Sequence, residues 1–244
     1  MKVTKVNILS YPIAKLTMPE AVSHILQLIR ERRGHIITAN AEILYAARCD
    51  ATLDGVIRAA HLVTADGMGV VLASRILGDP LPERVSGYDL LHAIAQQSSQ
   101  LGLGLFLLGA APGVAETAAA KLMLLYRHLK ISGTHHGFFN DSESADVVQK
   151  IRSANTDFLF VAMGVQGEKW IARYKEDLGC PAMQVGGSFD ILAGIATRAP
   201  RWMQRAGLEW AHRLYKEPKR FRRMLSLPKF VAAVLVERIF GKCN

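Results

Sequence analysis

A bilayer-spanning segment is absent from this sequence. The best candidate, residues 230–236, runs for seven residues before Glu237 and Arg238 interrupt it, whereas a spanning helix needs about 20 apolar residues. An integral membrane protein is excluded; attachment to a membrane surface is not. Cysteine is scarce too. Cys49, Cys180 and Cys243 are odd in number and far apart, which fits neither a disulfide framework nor a zinc pattern. No basic n-region followed by an apolar h-region opens the chain, so these residues are expected to be reduced thiols of a cytoplasmic protein. There is no Asp-x-Asp pair to hold a divalent ion against a diphosphate, no Gly-x-Gly-x-x-Gly, and no Walker lysine. His135 and His136 are adjacent, point in opposite directions from a strand, and have no carboxylate at ligand spacing. A metal is not expected, and nothing supports a serine or cysteine triad.

What is present is a globular composition: 244 residues, half apolar and a fifth charged, enough for one large domain or a domain with an appendage. The charge is unevenly placed. Residues 198–244 hold twelve Lys and Arg against Glu209, Glu217 and Glu237, so the chain's whole net charge of +9 sits there and residues 1–197 balance. We divide the chain accordingly into an α/β body over 1–197 and a basic, helix-prone appendage over 198–244. A basic segment of this kind works against a negatively charged surface or substrate.

In the body, apolar runs alternate with helical stretches, which predicts a Rossmann-like, largely parallel sheet flanked by helices. Five βα units are read: strand 35–38 into helix 41–48, 61–64 into 70–77, 103–108 into 114–129, 157–162 into 169–177, and 182–185 into 189–193. A strand is expected at 3–9, an amphipathic helix near 19–33, a helix over 85–97, and a strand end and loop over 135–144.

Ligands of open α/β sheets sit at the carboxyl ends of the strands. There this chain carries Thr38 and Asn40, Asp66, the turn from Gly109 to Gly113, Gly164, Gln166 with Glu168, and Gly187 and Ser188 with Asp190. Asp66, between a strand and a helix and followed by glycine, is either a helix N-cap or a general base able to take a proton from a sugar hydroxyl; the two roles are compatible. The Gly109–Gly113 turn offers backbone N–H groups to a diphosphate or is a plain turn. Asp190 is placed to accept from a ribose or base, or to cap a turn. Arg84 reaches a phosphate only if its proline-containing loop folds over the sheet.

In order, these segments resemble the WecG/TagA/CpsF family of bacterial glycosyltransferases (glycosyltransferase family 26). The match includes Thr38-Ala39-Asn40, Ala65-Asp66-Gly67, Arg84-Val85-Ser86-Gly87, Gly137-Phe138-Phe139, Glu168-Lys169-Trp170, Gly187-Ser188-Phe189-Asp190, Arg198-Ala199-Pro200 and Gly207-Leu208-Glu209-Trp210. The resemblance implies an inverting, metal-independent transferase. It would move ManNAc, ManNAcA, glucose or a similar sugar from a UDP-sugar to an undecaprenyl-diphosphate-linked saccharide in cell-surface polysaccharide synthesis. It implies Asp66 as base, Thr38 and Asn40 beside the donor or acceptor sugar, and Arg84 at the phosphates. Gly109, Gly113, Phe138, Gly164, Gln166, Gly187, Asp190, Arg213, Arg220 and Arg223 are then candidates for holding the UDP-sugar. One departure stands out. The family pattern Gly-x-Pro-x-Gln-Glu-x-Trp is here Gly164-Val165-Gln166-Gly167-Glu168-Lys169-Trp170, one residue shorter, without the proline, and with glycine before Glu168.

Trp202, Trp210, Tyr215, Phe221, Leu225, Leu227 and Phe230 interleave with Arg and Lys in the appendage. That pattern favours an interfacial helix over a solvated basic helix or a nucleic-acid binder, and the family resemblance implies the inner face of the plasma membrane. No nucleic acid is expected; self-association is left open. The other classes are a non-catalytic membrane-surface binding protein and a nucleotide-cofactor oxidoreductase, and the second lacks its glycine fingerprint.

Overall fold

The computed structural model describes residues 3–216, 218, 221 and 225–241, the side chains of Arg205 and Arg213 excepted. Its centre is a six-stranded, all-parallel sheet in the order β4-β3-β8-β7-β5-β6. The strands are β3 (His35–Ala39), β4 (Leu62–Ala65), β5 (Gly104–Gly109), β6 (Lys130–His135), β7 (Phe158–Ala162) and β8 (Ala182–Gln184). β5 and β7 are almost wholly buried, as expected of parallel strands covered on both faces. Phe158 and Phe160 meet edge-on, with ring centroids 5.0 Å apart. The Rossmann-like expectation is met, with one more strand than the five βα units supply.

The extra strand is β6. The expected helix over 114–129 ends early, as α6 (Val114–Leu125), and the chain turns into the sheet edge. β6 reads poorly as a strand because Lys-Ile-Ser-Gly-Thr-His has no apolar run. Its Gly133 leaves room for Phe106, whose ring a Cβ would approach to 2.5 Å. The expected N-terminal strand also differs. It is β1 (Lys5–Ile8), paired antiparallel with β2 (Tyr11–Ala14) in a separate hairpin.

Helices cover both faces. α1 (Met18–Arg30) opens with a capping box between Thr17 and Glu20, which satisfies two otherwise orphaned N–H groups. α1, α5 (Gly87–Leu101), α6 and α9 (Ser188–Leu192) enclose one core cluster. The hairpin, α2 (Ala41–Ala47), α3 (Ala51–Arg58) and α4 (Met68–Ile76) enclose another. α7 (Ser144–Ser153) and α8 (Gly164–Tyr174) enclose a third. α3 and α7 were not expected from the sequence. α8 begins at Gly164, five residues before its expected start.

Beyond residue 197 lie α10 (Arg201–Arg205), α11 (Glu209–Lys216) and α12 (Ser226–Phe240). α12 lies against α2 and α4 and buries Phe230 and Val234 in the second cluster. The Glu237 carboxylate accepts a 2.8 Å hydrogen bond from the Leu9 backbone N–H, where the hairpin turn places Leu9 and Ser10 at positive φ. No helix among the described residues is long and apolar enough to cross a membrane.

Candidate active site

The strand order sets where a ligand fits. From β3 the chain moves outward to β4, and from β5 outward to β6; it then returns to lay β7 and β8 in the middle. The connections leaving β5 and β7 therefore diverge, which opens a crevice at their carboxyl ends. Two adjoining clefts occupy this end of the sheet and share Ala162, the last residue of β7.

The larger set of polar groups faces a cleft of about 620 Å³ over the exits of β3, β4, β7 and β8. Thr38, Asn40, Asp66, Gly164, Gly187 and Asp190 all line it. The second cleft, about 640 Å³, lies over β5, β6 and β7 and includes Phe138, Gln166, Lys169 and Arg173. Residues read separately at the exits of β3, β4, β7 and β8 thus come together in two neighbouring spaces.

Local chemistry explains each position. Asn40 caps α2, its Oδ1 accepting from Ile43 N at 2.9 Å. Thr38 sits at the β3 exit with its hydroxyl 3.4 Å from Gln184 O. The Asp66 backbone N–H donates to Ala39 O at 2.7 Å, which ties the β4 exit to β3 beside both residues. Gly67, one residue after Asp66, stands at the N-cap position of α4.

Gly109 and Gly113 line neither cleft. A Cβ on Gly109 would stand 2.6 Å from the Ala162 carbonyl oxygen, so this glycine lets β5 and β7 close up. Ala110, next to it, has φ 57°. It donates to Ala162 O and accepts from Gly137 N, both at 2.9 Å, and so stitches three strand exits together. Gly113 is the exposed, left-handed start of α6. Phe138 is 72% exposed on the wall of the second cleft. α11 carries Arg213; Arg220 and Arg223 lie outside the described residues.

Arg84 does not open directly onto either cleft. Its guanidinium pairs with Glu209 of α11 and, at 3.3 Å, with Asp89. Arg198 grips Asp89 with two hydrogen bonds of 2.6 and 2.9 Å, approaches Glu209 at 3.6 Å, and stacks 4.6 Å from the Tyr88 ring centroid. Burial opposes ionisation of Asp89, but hydrogen bonds from Arg198 and Ser86 outweigh it and hold the carboxyl below its ordinary value. Arg198, Tyr88 and Glu209 line the Asp66 cleft, as do His212 and Lys216 from the same face of α11. These five were not singled out in the sequence. The Arg-Ala-Pro and Gly-Leu-Glu-Trp motifs were the available signals for Arg198 and Glu209.

Two buried polar contacts hold the floor. His35 Nε2 lies 2.6 Å from Glu168 Oε2, both side chains almost fully buried. Gln184 donates to Gly164 O and accepts from Val185 N at 3.1 Å, fastening the exits of β7 and β8 to each other. The shortened 164–170 segment is built around this amide. A Cβ on Gly167 would stand 3.0 Å from Gln184 Nε2, so glycine before Glu168 is what admits it.

The chain is similar to known proteins over nearly its whole length. The family model described as "Glycosyl transferase WecG/TagA/CpsF family" matches residues 6–244. A relative from Bacillus spizizenii, named N-acetylglucosaminyldiphosphoundecaprenol N-acetyl-beta-D-mannosaminyltransferase, is 34% identical over 96% of this chain and 91% of its own length. A protein of the same name from Bacillus subtilis is 36% identical over 86% of this chain and 82% of its own. Another from Staphylococcus aureus is 35% identical over 93% and 91%. The chain belongs to the WecG/TagA/CpsF glycosyltransferase family.

Proposed function

We propose that this member of the WecG/TagA/CpsF family transfers an N-acetylmannosamine-type sugar from a UDP-sugar to an undecaprenyl-diphosphate-linked saccharide, with inversion and without a metal. The relatives' names supply the acceptor class and the sugar. The observation that carries the reading is the convergence of Asp66, Thr38 and Asn40 at adjacent strand exits, within one cleft that also holds Asp190 and the glycine exits of β7 and β8.

In this reading the Asp66 carboxylate takes the proton of an acceptor hydroxyl. The freed oxygen forms a bond to the anomeric carbon from the face opposite the diphosphate. The bond from that carbon to the diphosphate oxygen breaks, and its electron pair leaves with UDP. Thr38 and Asn40 orient the sugar, and Asp190 accepts from ribose or base hydroxyls. Gly164 and Gly187 let the donor approach the backbone; Phe138 and Gln166 form the adjoining wall, behind which Gly109 and Gly113 shape the β5 turn. Charge on the leaving diphosphate falls to Arg84 and to the appendage's Arg213, Arg220 and Arg223. The appendage holds the enzyme on the inner face of the plasma membrane, a role supported by exposed Trp202, Tyr215, Phe221 and Phe240 among its cations.

UDP release from a panel of UDP-sugars, mixed with a short-chain lipid-diphosphate N-acetylglucosamine, tests the reading. Release that requires both substrates, persists in EDTA and yields the opposite anomeric configuration by NMR is expected. No release with any donor would overturn it.

A further inference from the structure

The four charged side chains of the cluster formed by Arg84, Asp89, Arg198 and Glu209, the last two of which line the Asp66 cleft, are not equivalent. Asp89, in the first turn of α5, accepts from Arg198 through both oxygens and from Ser86 Oγ at 2.5 Å. It is built into the body. Glu209 starts α11, and none of the described side chains from 201 to 216 is buried. Its two carboxylate oxygens point to different guanidinium groups, Oε2 to Arg84 and Oε1 to Arg198. One anionic group set between two guanidinium groups, paired with Arg84 and 3.6 Å from Arg198 Nε, is also an arrangement a phosphoryl group adopts. Both arginines are largely sequestered, their side chains 13% and 21% exposed, and Tyr88 backs Arg198. Lys216 adds a cation on the same cleft wall.

We propose that Arg84 and Arg198 together form a diphosphate-binding subsite, and that Glu209 occupies it as an internal stand-in which the substrate's phosphoryl group displaces. Arg198 thereby becomes a binding residue. α11 becomes a self-competing element whose Glu209 leaves when a diphosphate arrives. The diphosphate comes either from the UDP-sugar or from the lipid acceptor. The proposal rests on the transferase reading above for that choice of ligand, but its test does not need turnover.

Inorganic pyrophosphate is titrated calorimetrically into the full-length wild type, Glu209→Gln and Glu209→Gln/Arg198→Gln proteins at one ionic strength, with circular dichroism and Tm as folding controls. Removing an internal competitor raises apparent affinity by the inverse of the competent fraction. The single variant is expected to bind at least about fivefold tighter than wild type, and the double variant to lose that gain. Equal or weaker binding by a folded Glu209→Gln protein would overturn the proposal. Should that variant not fold, Arg198→Lys carries the test. It keeps the charge and loses the fork, so affinity falls by about fivefold or more; unchanged affinity overturns the proposal. Parallel titrations with UDP and with farnesyl diphosphate identify the source: the ligand whose binding tightens in Glu209→Gln is the one that uses the subsite, and no gain with either counts against it. If the gain appears while no UDP-sugar is turned over, the transferase reading fails and the subsite stands.

Discussion

The body and the appendage are held together by different forces. Residues 1–197 carry no net charge and bury continuous apolar strands beneath helices on both sheet faces. Residues 198–244 carry the whole net charge. They attach through the Arg84–Asp89–Arg198–Glu209 cluster at one end and Phe230 and Val234 at the other. Hydrophobic burial is not screened by salt, whereas exposed ion pairs are. The difference teaches which part has to hold its shape and which part is able to respond. Groups proposed to do chemistry stand on strand exits, while Glu209, at the start of α11, meets the rest of the protein through charged contacts with Arg84 and Arg198.

The sharpest way to break this comparison is Asp66→Asn. A general base contributes about 10²- to 10⁴-fold, so UDP release should fall by roughly a thousandfold with Tm unchanged. Near-normal turnover would move the chemistry away from the β4 exit. Next in size is Phe230→Ala. Truncating a buried phenylalanine costs about 3 kcal/mol, here confined to α12. Hydrogen exchange in α12 should rise while β5 and β7 stay protected; equal loosening of the sheet would merge the two regions into one cooperative unit.

Within the body, His35→Leu leaves the Glu168 carboxylate buried without its partner and should cost about 2 kcal/mol of global stability by denaturant unfolding. No loss would mean that the pair does not hold the floor.

The depressed Asp89 carboxyl sets a pH signature at the junction. A carboxyl whose folded value lies below its unfolded one stabilises above the unfolded value, and that contribution is lost as pH falls through the folded value. The grip on Arg198 should therefore persist at neutral pH and be lost only below about pH 4. Proteolytic cutting near residue 200 should rise there before the sheet unfolds. The smallest effect is expected at the surface. Trp202→Ser with Trp210→Ser should weaken binding to anionic liposomes several-fold at low salt, while UDP release from a detergent-dispersed acceptor stays near wild type.

Much of this was legible in one dimension where a residue's role depends on its neighbours in the chain. Thr38, Asn40, Asp66 and Asp190 stand directly after apolar strands, and in a parallel sheet every such exit opens at the same end. β6 was legible only as a strand end at 135, because a half-exposed edge strand has no apolar run. α3 and α7, short helices with mixed composition, were not legible. Arg198 and Glu209 were passed over as site residues because nothing local distinguishes them from other charges in a basic segment.

Local pattern and composition thus settle the fold class, and they point to the common end of the sheet where the proposed site lies and to the unequal charge of residues 1–197 and 198–244. Periodicity and charge are properties of neighbouring residues. Only the tertiary structure could show Glu209 bridging Arg84 across 125 positions, Glu168 meeting His35 across 133, and Gly167 yielding space to Gln184. Such contacts depend on strand order and on helices closing from opposite faces, and no short-range pattern encodes those.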